Sequence, residues 1–502
     1  MKLQDIEQSH TEMMGMTTNN QDEEVKAMIH EDNDNKKKKK DEDDSSLSSS
    51  YGVPDRTLLH LCGINIFAIV YGFLISTFGL IVLPLESERM WPEKQALLLA
   101  IFLGLCGISQ LNGPVTGYFS DRCINHPWGK RRPYLFGGAI IAVPSLGALH
   151  WASRNKNLGW YSAFFLLAML SLNVMYTAYS GALTDLVNEK QRGIANGLMG
   201  AFSVLGASAG FGCFSTFLEL STSYPLFATM LSIVVLISLW AYTEETPAMR
   251  RERRKRRHID DDLDDDESHF MDTDDEEEDW TWKEIRQCYW IDRSEHYDFY
   301  LVFVSRTLYY MGISAQTFML FYFRDVIRST EEGNGNAKAD VSNLALIGQL
   351  TGGIVCIPMG LLSDRLGRKV LIYLSSLTLA VSYCGLAFIA RDMKGALLFG
   401  AIYGIGNGTY LSVDYALACD TLPSKEKAAR YLGIWGVGAF IGTLFGPLLI
   451  GPALILFGDR GVRDPISGVA EYAIPGYIAI LMIGSACILF GAFLVSFIRS
   501  TT

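Results

Sequence analysis

Ionisable side chains inside long apolar runs come first, because a charge at membrane depth is costly unless it is paired or neutralised by a proton. Few of the 502 residues qualify. Asp185 and Asp420 stand at the polar ends of two such runs, and Arg306 lies inside a third. Asp414 sits about one and a half turns deeper than Asp420 at 3.6 residues per turn. Neutral polar groups join them: Asn65, Gln110, Asn112, Asn173, Gln349 and Asn407, with Tyr71, Tyr176 and Trp435 as flat aromatic faces. Carboxylate, amide and aromatic groups around one cavity would suit a neutral polyhydroxylated ligand, and a desolvated carboxylate could carry a proton. Plainer roles are open to the same residues. Asp185 and Asp420 could cap helix ends, Arg306 could extend its head to the surface, and the amides could bond between helices for about 1 kcal/mol or less each.

The elements that must hold these residues are set by how charge is distributed. The sequence is 49% hydrophobic and 19% charged with a net charge of −11, and the charge is segregated. Residues 1–50 hold 13 acidic and 7 basic side chains, and residues 244–297 hold 20 and 10. The rest is long apolar runs between short polar turns, which excludes a secreted disulfide scaffold, a disordered protein and an ordinary cytosolic enzyme. About 20 apolar residues cross a bilayer as a helix. Twelve runs reach that length, at approximately 57–83, 95–119, 134–151, 158–183, 194–217, 225–243, 298–323, 341–362, 370–390, 396–419, 431–457 and 473–498. The polar opening MKLQDIEQ gives no cleavable signal peptide, so the first span is expected to serve as the targeting signal. Lys and Arg concentrate in the even-numbered turns, which predicts that both termini and the central loop face the cytoplasm. A plasma-membrane location is expected.

The spans divide six and six, and the halves repeat. Gly117-Tyr-Phe-Ser-Asp121-Arg122 after span 2 corresponds to Gly360-Leu-Leu-Ser-Asp364-Arg365 after span 8, each with a basic cluster following. Ala182-Leu-Thr-Asp185-Leu at the end of span 4 corresponds to Ala416-Leu-Ala-Cys-Asp420 at the end of span 10. Two such halves joined by a linker are the plan of the major facilitator superfamily, in which a site near the midplane is exposed alternately to each side. The expected fold is therefore an all-α integral membrane protein of twelve transmembrane helices in two pseudo-repeated halves. Its divisions are a cytoplasmic tail at 1–56, a first half at 57–243, a charged linker at 244–297 and a second half at 298–502. An aspartate beyond one helix can accept N–H bonds from the start of its neighbour, in one of two alternating conformations. Asp121, Arg122, Arg131, Arg132, Asp364, Arg365 and Arg368 are accordingly read as gating residues. The alternative is that they only anchor topology. Gly193/Gly197, Gly206/Gly210, Gly400/Gly404/Gly408 and Gly438/Gly442/Gly446 allow close helix contact, either static or sliding.

The stretch from Gly117 through Gly129-Lys130-Arg131-Arg132-Pro133-Tyr134 resembles the signature of plant sucrose transporters and their animal solute-carrier relatives. Tyr179-SGALTDL and Gln191-RGIANG are similar to further elements of the same group. Residues 412–435, SVDYALACDTLPSKEKAARYLGIW, look like the turn between spans 10 and 11 of its bacterial members, within the glycoside-pentoside-hexuronide cation symporters. The resemblance implies proton-coupled symport of a sugar, with Asp185 as the proton-binding and sugar-contacting group. The turn after span 1, ESERMWPEKQ, has no histidine where plant members carry one, so a sugar or glycoside is implied rather than sucrose itself. Asp185, Asp414, Arg306, Asn65, Asn173 and Asn407 are the expected substrate-binding residues, and a sugar, a proton and the lipid bilayer the expected partners.

Other chemistry finds no support. Nine scattered cysteines show no metal-ligand spacing, and no P-loop, HExxH motif or nucleophile elbow occurs, so no enzyme activity, cofactor, metal or nucleic-acid partner is expected. The basic run Arg250–Arg257 and the 14 acidic residues between Asp260 and Asp279 have no apolar content to fold and read as a solvated linker. That linker could also bind a cytoplasmic regulator, which would make the protein a sugar-sensing transceptor. Trp280 to Trp290 could form a short interfacial helix. An uncoupled facilitator, or a symporter of another small polar solute, is the remaining alternative.

Overall fold

The computed structural model describes residues 56–123, 126–188, 191–242, 296–327, 336–422, 428–463 and 468–499. The tail, nearly all of the charged linker and the expected interfacial helix lie outside these residues. Residues 57–186 and 190–502 belong to one compact unit.

Among the described residues, eleven helices are long and apolar enough to cross a membrane. They are helix 1 (Leu58–Met90), helix 2 (Pro92–Ser120), helix 3 (Arg132–Arg154), helix 4 (Leu158–Leu186), helix 5 (Arg192–Thr216) and helix 6 (Leu220–Ala241), then helix 8 (Ala337–Leu366), helix 9 (Arg368–Phe388), helix 10 (Met393–Asp420), helix 11 (Ala428–Gly458) and helix 12 (Ile474–Val495). The twelfth expected span is present but interrupted. Helix 7 runs through Tyr297–Ile313, a 3-10 stretch Ser314–Phe318, a single turn Met319–Tyr322 and a π-helical end Phe323–Ile327. Ser314 and Thr317 hydroxyls bond back to the carbonyls of Met311 and Ser314, taking up backbone acceptors where the hydrogen-bond ladder changes pitch.

Helix 1 outruns its expected end at residue 83. A π step at Phe78–Val82 leads into Leu83–Met90, so the polar LESERM segment is helical and not a loop. Glu86 and Ser87 are fully buried there. Ser87 bonds to the Pro84 carbonyl, and Glu86 is gripped by side chains of helices 3 and 6. Tertiary bonding thus stabilises a helix that an apolar pattern could not foretell.

Packing repeats between the two six-helix sets. Helix 1 packs on helices 5 and 6, helix 3 on 4 and 6, and helix 2 on 4; correspondingly helix 7 packs on 11 and 12, helix 9 on 10 and 12, and helix 8 on 10. The sets meet through helix 2 against helix 11 and helix 5 against helix 8. Glycine permits the closest of these approaches, as where Gly206 of helix 5 lies directly on the Ile69 backbone of helix 1. A two-stranded antiparallel hairpin, β1 (Asp459–Arg463) and β2 (Ala470–Tyr472), joins helices 11 and 12.

Candidate functional site

A cavity of about 330 Å³ lies between the two sets, in the size range of small-molecule sites. Helices 1, 2, 4 and 5 contribute from one side, and helices 7 to 11 from the other. Its polar lining is neutral: Gln110, Gln316, Gln349, Asn407, Tyr310 and Tyr403, with a few hydroxyls. Apolar side chains such as Phe78, Phe165, Met169 and Phe211 cover the rest, and no charged residue is among the lining.

Of the six expected substrate-binding residues, Asn407 alone lines this cavity. It accepts a bond from Tyr309 Oη at 2.6 Å. Asn65 is fully buried, accepting from Tyr179 Oη at 2.7 Å and donating to the Leu61 carbonyl. Asn173 donates to Ser109 Oγ and the Met169 carbonyl, both at 2.9 Å. These two amides tie helices together within the first half. Tyr71 and Tyr176 stack on each other at 4.3 Å.

Arg306 and Asp414 form a buried ion pair between helices 7 and 10, with side-chain exposures of 9% and 4%. The guanidinium lies 3.5 Å from the Trp435 ring centre and 4.9 Å from that of Tyr310. Tyr310 lines the cavity, so the pair stands one side chain behind its wall. Arg306 is thus enclosed, and its head does not reach the surface.

Asp185 is at the end of helix 4 that carries the basic turns, away from the cavity lining. It accepts from Arg131 Nε at 2.8 Å, while Arg131 Nη1 donates to Ser120 Oγ at 2.7 Å. The second set repeats this arrangement: Arg368 Nε donates to Asp420, and its Nη1 reaches Ser363 Oγ at 3.4 Å. Each clamp joins the ends of helices 2, 3 and 4, or 8, 9 and 10, within one set. Arg132 opens helix 3 and Arg365 is exposed near the end of helix 8. The side chains of Asp121, Arg122 and Asp364 lie outside the described ones.

The opposite end of the bundle holds contacts that the sequence reading missed. Arg324, at the π-helical end of helix 7, meets Glu88 of helix 1 at 3.2 Å and Gln95 of helix 2 at 3.0 Å, and donates to the Ala470 carbonyl at 2.9 Å. Gln95 Nε2 reaches the same carbonyl at 2.5 Å. Here the two sets are bonded to each other. The available signal was Arg324 directly following an apolar run, with Glu88 in the turn after span 1.

Helix 5 shows how this junction opens. Gly193, Gly197, Gly200, Val204, Phe211 and Ser215 follow a three-and-four spacing and share one face. Ser215 bonds to Asn343 of helix 8 at 2.6 Å, Phe211 lines the cavity and Val204 packs over Gly353 of helix 8. Toward the basic turns, Gly193, Gly197 and Gly200 face open space among the described residues. Helices 5 and 8 therefore touch at the Arg324 end and part toward the basic end.

Residues 64–390 and 302–501 match the Major Facilitator Superfamily. The chain belongs to this superfamily. It is a multi-pass membrane protein of the major facilitator type. Solved structures agree in fold: a crystal structure of the nucleoside transporter NupG is 12% identical with a TM-score of 0.60, covering 87% of this chain and 98% of that one. The peptide transporter POT in complex with sulfate is 13% identical with a TM-score of 0.59, covering 89% and 96%. Curated relatives match over shorter stretches. Multidrug resistance protein 3 of Bacillus subtilis is 31% identical over 123 residues, 23% of each chain. Multidrug resistance protein MdtG of Proteus mirabilis is 35% identical over 103 residues, 20% of this chain and 25% of its own. The chain spans about a quarter or less of the length of the curated relatives it matches.

Proposed function

We propose that this transporter moves a sugar or glycoside together with a proton by alternating access. The observation that carries the reading is the central cavity: amides, hydroxyls and tyrosines without a charged group, suited to a neutral polyhydroxylated solute. The resemblance to sucrose-type symporters adds the coupling, with Asp185 as its proton-binding candidate and buried Asp414 as the carboxylate nearer the cavity. The excess of Lys and Arg in the even-numbered turns favours a cytoplasmic face at the end bearing Asp185, and the plasma membrane is the proposed residence. The Asp-Arg turns, Asp121 and Asp364 included, are proposed as gates.

Uptake of radiolabelled sucrose, maltose and glucose into proteoliposomes, with and without an inward proton gradient, tests this. Gradient-driven accumulation supports symport. Equilibration that ignores the gradient replaces it with facilitation. Absence of sugar flux from folded protein overturns the sugar reading.

A second reading, export of an amphipathic organic solute, is favoured by the extent of Phe, Leu, Ile and Met in the cavity wall and by the names of the multidrug relatives. Competition by a lipophilic dye for a sugar-independent flux would support it. Regulation through residues 250–279 is separable: their deletion should leave uptake intact in a transporter and remove signalling in a transceptor.

A further inference from the structure

We propose that Arg306 and Trp435 form a subsite beside the central cavity for a hydroxyl or ring oxygen of a neutral sugar, and that Asp414 keeps carboxylate-bearing sugars out of it. This rests on the sugar reading and deepens it by naming the class of sugar accepted.

Arg306 reaches Asp414 through Nη1. Its Nη2 donates to Tyr310 Oη at 3.5 Å, which is long for a hydrogen bond. Among the described residues Nε has no hydrogen-bond partner, and neither has Trp435 Nε1, although both atoms are buried. The two groups are neighbours, since the guanidinium carbon lies 3.5 Å from the Trp435 ring centre. A desolvated donor left unbonded is costly, so such groups point to a partner that the protein itself does not supply. The Nε and Nη2 edge of a guanidinium presents two parallel N–H groups, and the indole N–H beside it adds a third donor. Donors of this kind are met by oxygen acceptors.

The position suits a solute held in the cavity. Tyr310, which lines the cavity, is four residues from Arg306 on helix 7, about 6 Å along the axis. On helix 10, Asn407 lines the cavity, and Asp414 follows two turns later on the same face. Tyr176 of helix 4, stacked on Tyr71, lies within electrostatic reach of Arg306 and Tyr310. The subsite therefore adjoins the cavity toward the basic end and faces the other half. Tyr310 is the partition, and a solute that takes over its long bond reaches the guanidinium.

Charge decides which acceptor fits. Asp414 already balances Arg306, and the two side chains are 4% and 9% exposed. A second carboxylate would have to share one guanidinium with Asp414 out of water, which leaves a buried negative charge uncompensated and is strongly unfavourable. A hydroxyl or ring oxygen accepts from the same donors, brings no charge and leaves the pair balanced. Asp414 thus acts as a charge filter on the solute: with it the subsite takes a neutral sugar, and without it the lone guanidinium suits an acidic one.

The test dialyses purified protein in detergent to equilibrium against para-nitrophenyl β-glucoside and para-nitrophenyl β-glucuronide, which differ only in a hydroxymethyl group against a carboxylate. Bound glycoside is read by absorbance. The parent should bind the glucoside, and the glucuronide at least about tenfold more weakly. Trp435→Phe keeps a ring face on Arg306 and loses the N–H. Its glucoside affinity should fall about tenfold, while its thermal midpoint stays near the parent's because Nε1 bonds to no described group. Asp414→Asn should gain glucuronide binding by about tenfold or more, and adding Arg306→Gln should abolish that gain. Should Asp414→Asn yield no monodisperse protein, the Trp435→Phe comparison decides by itself. A parent that binds neither glycoside removes the sugar reading and the subsite with it. A parent that binds the glucoside overturns the subsite alone in either of two cases: Trp435→Phe binds as tightly, so that water alone meets these donors, or the glucuronide binds equally to parent and Asp414→Asn.

Discussion

Asp414→Asn removes the anionic partner of Arg306 inside the protein. The two side chains are 9% and 4% exposed, so little water can replace the lost charge. Breaking a buried pair from one side costs about 3–5 kcal/mol, because the remaining ion is uncompensated. Arg306 has the ring faces of Trp435 and Tyr310, at 3.5 and 4.9 Å, in parent and variant alike, so they do not offset that loss. The net loss expected is about 3–5 kcal/mol. Its origin can be separated from simple loss of packing. The double variant Arg306→Met with Asp414→Leu removes both charges at similar volume, and such replacements are often neutral or stabilising. Purified protein in detergent, heated and then assayed for the fraction still monodisperse, gives the comparison. Asp414→Asn should lose its monodisperse peak several degrees below the parent, and the double variant should recover most of that loss. An Asp414→Asn midpoint equal to the parent, or a double variant as unstable as the single one, would refute the reasoning from buried charge.

Three further outcomes follow from the geometry. Asp185→Asn acts on a carboxylate 34% exposed and bound to Arg131, so its thermal cost should be about 1 kcal/mol or less; if Asp185 couples the proton, gradient-driven accumulation should collapse while stability barely changes. Gly206→Val would push a branched side chain into the Ile69 backbone and should abolish monodisperse protein, whereas Gly197→Val, facing open space, should be recovered in normal yield; equal yields would refute the packing described for helix 5. Asn407→Ala removes a lining amide and strands Tyr309 Oη, and solute affinity should fall about tenfold for the loss of one bond worth ~1.4 kcal/mol, measured by the concentration dependence of uptake.

Much of the architecture was legible because membrane burial writes itself into composition. Long apolar runs, basic turns and the repeated Ser-Asp-Arg element located the helices and the two halves. The clamps Ser120–Arg131–Asp185 and Ser363–Arg368–Asp420 were half legible: both arginines and both aspartates stood out, but their pairing requires three helix ends to meet. Arg306 and Asp414 each stand out as ions at depth, but the 107 residues between them hide that they neutralise each other. LESERM looks polar, so the sequence alone places Glu86 in a turn. What makes it helical and buried is a serine on helix 3 and a tyrosine on helix 6, and no local pattern reports such partners. Likewise the cavity wall draws on nine helices, so Tyr310, Gln316 and Tyr403 could not be distinguished from other polar residues within spans.

The contacts also sort into those that must persist and those that must exchange. Each basic-end clamp lies within one half and binds neighbouring helix ends, so rigid rocking of the halves leaves it intact. The Arg324 cluster crosses between halves and cannot survive that motion. Under the proposed alternating access, a second state would compensate for its loss with new contacts at the other end, since two arrangements of comparable free energy are needed for alternation. Gly193, Gly197 and Gly200 supply the surface for this. They continue the face through which helix 5 already touches helix 8, they stand open at the basic end, and without side chains they let the backbones close to short range. Opposite them, Ile354, Ile357 and Leu361 of helix 8 are 73%, 74% and 67% exposed and fall on the face that Asn343 begins. Closing the basic end would cover these apolar side chains with the glycine face while the Arg324 end comes apart, exchanging a polar junction for an apolar one.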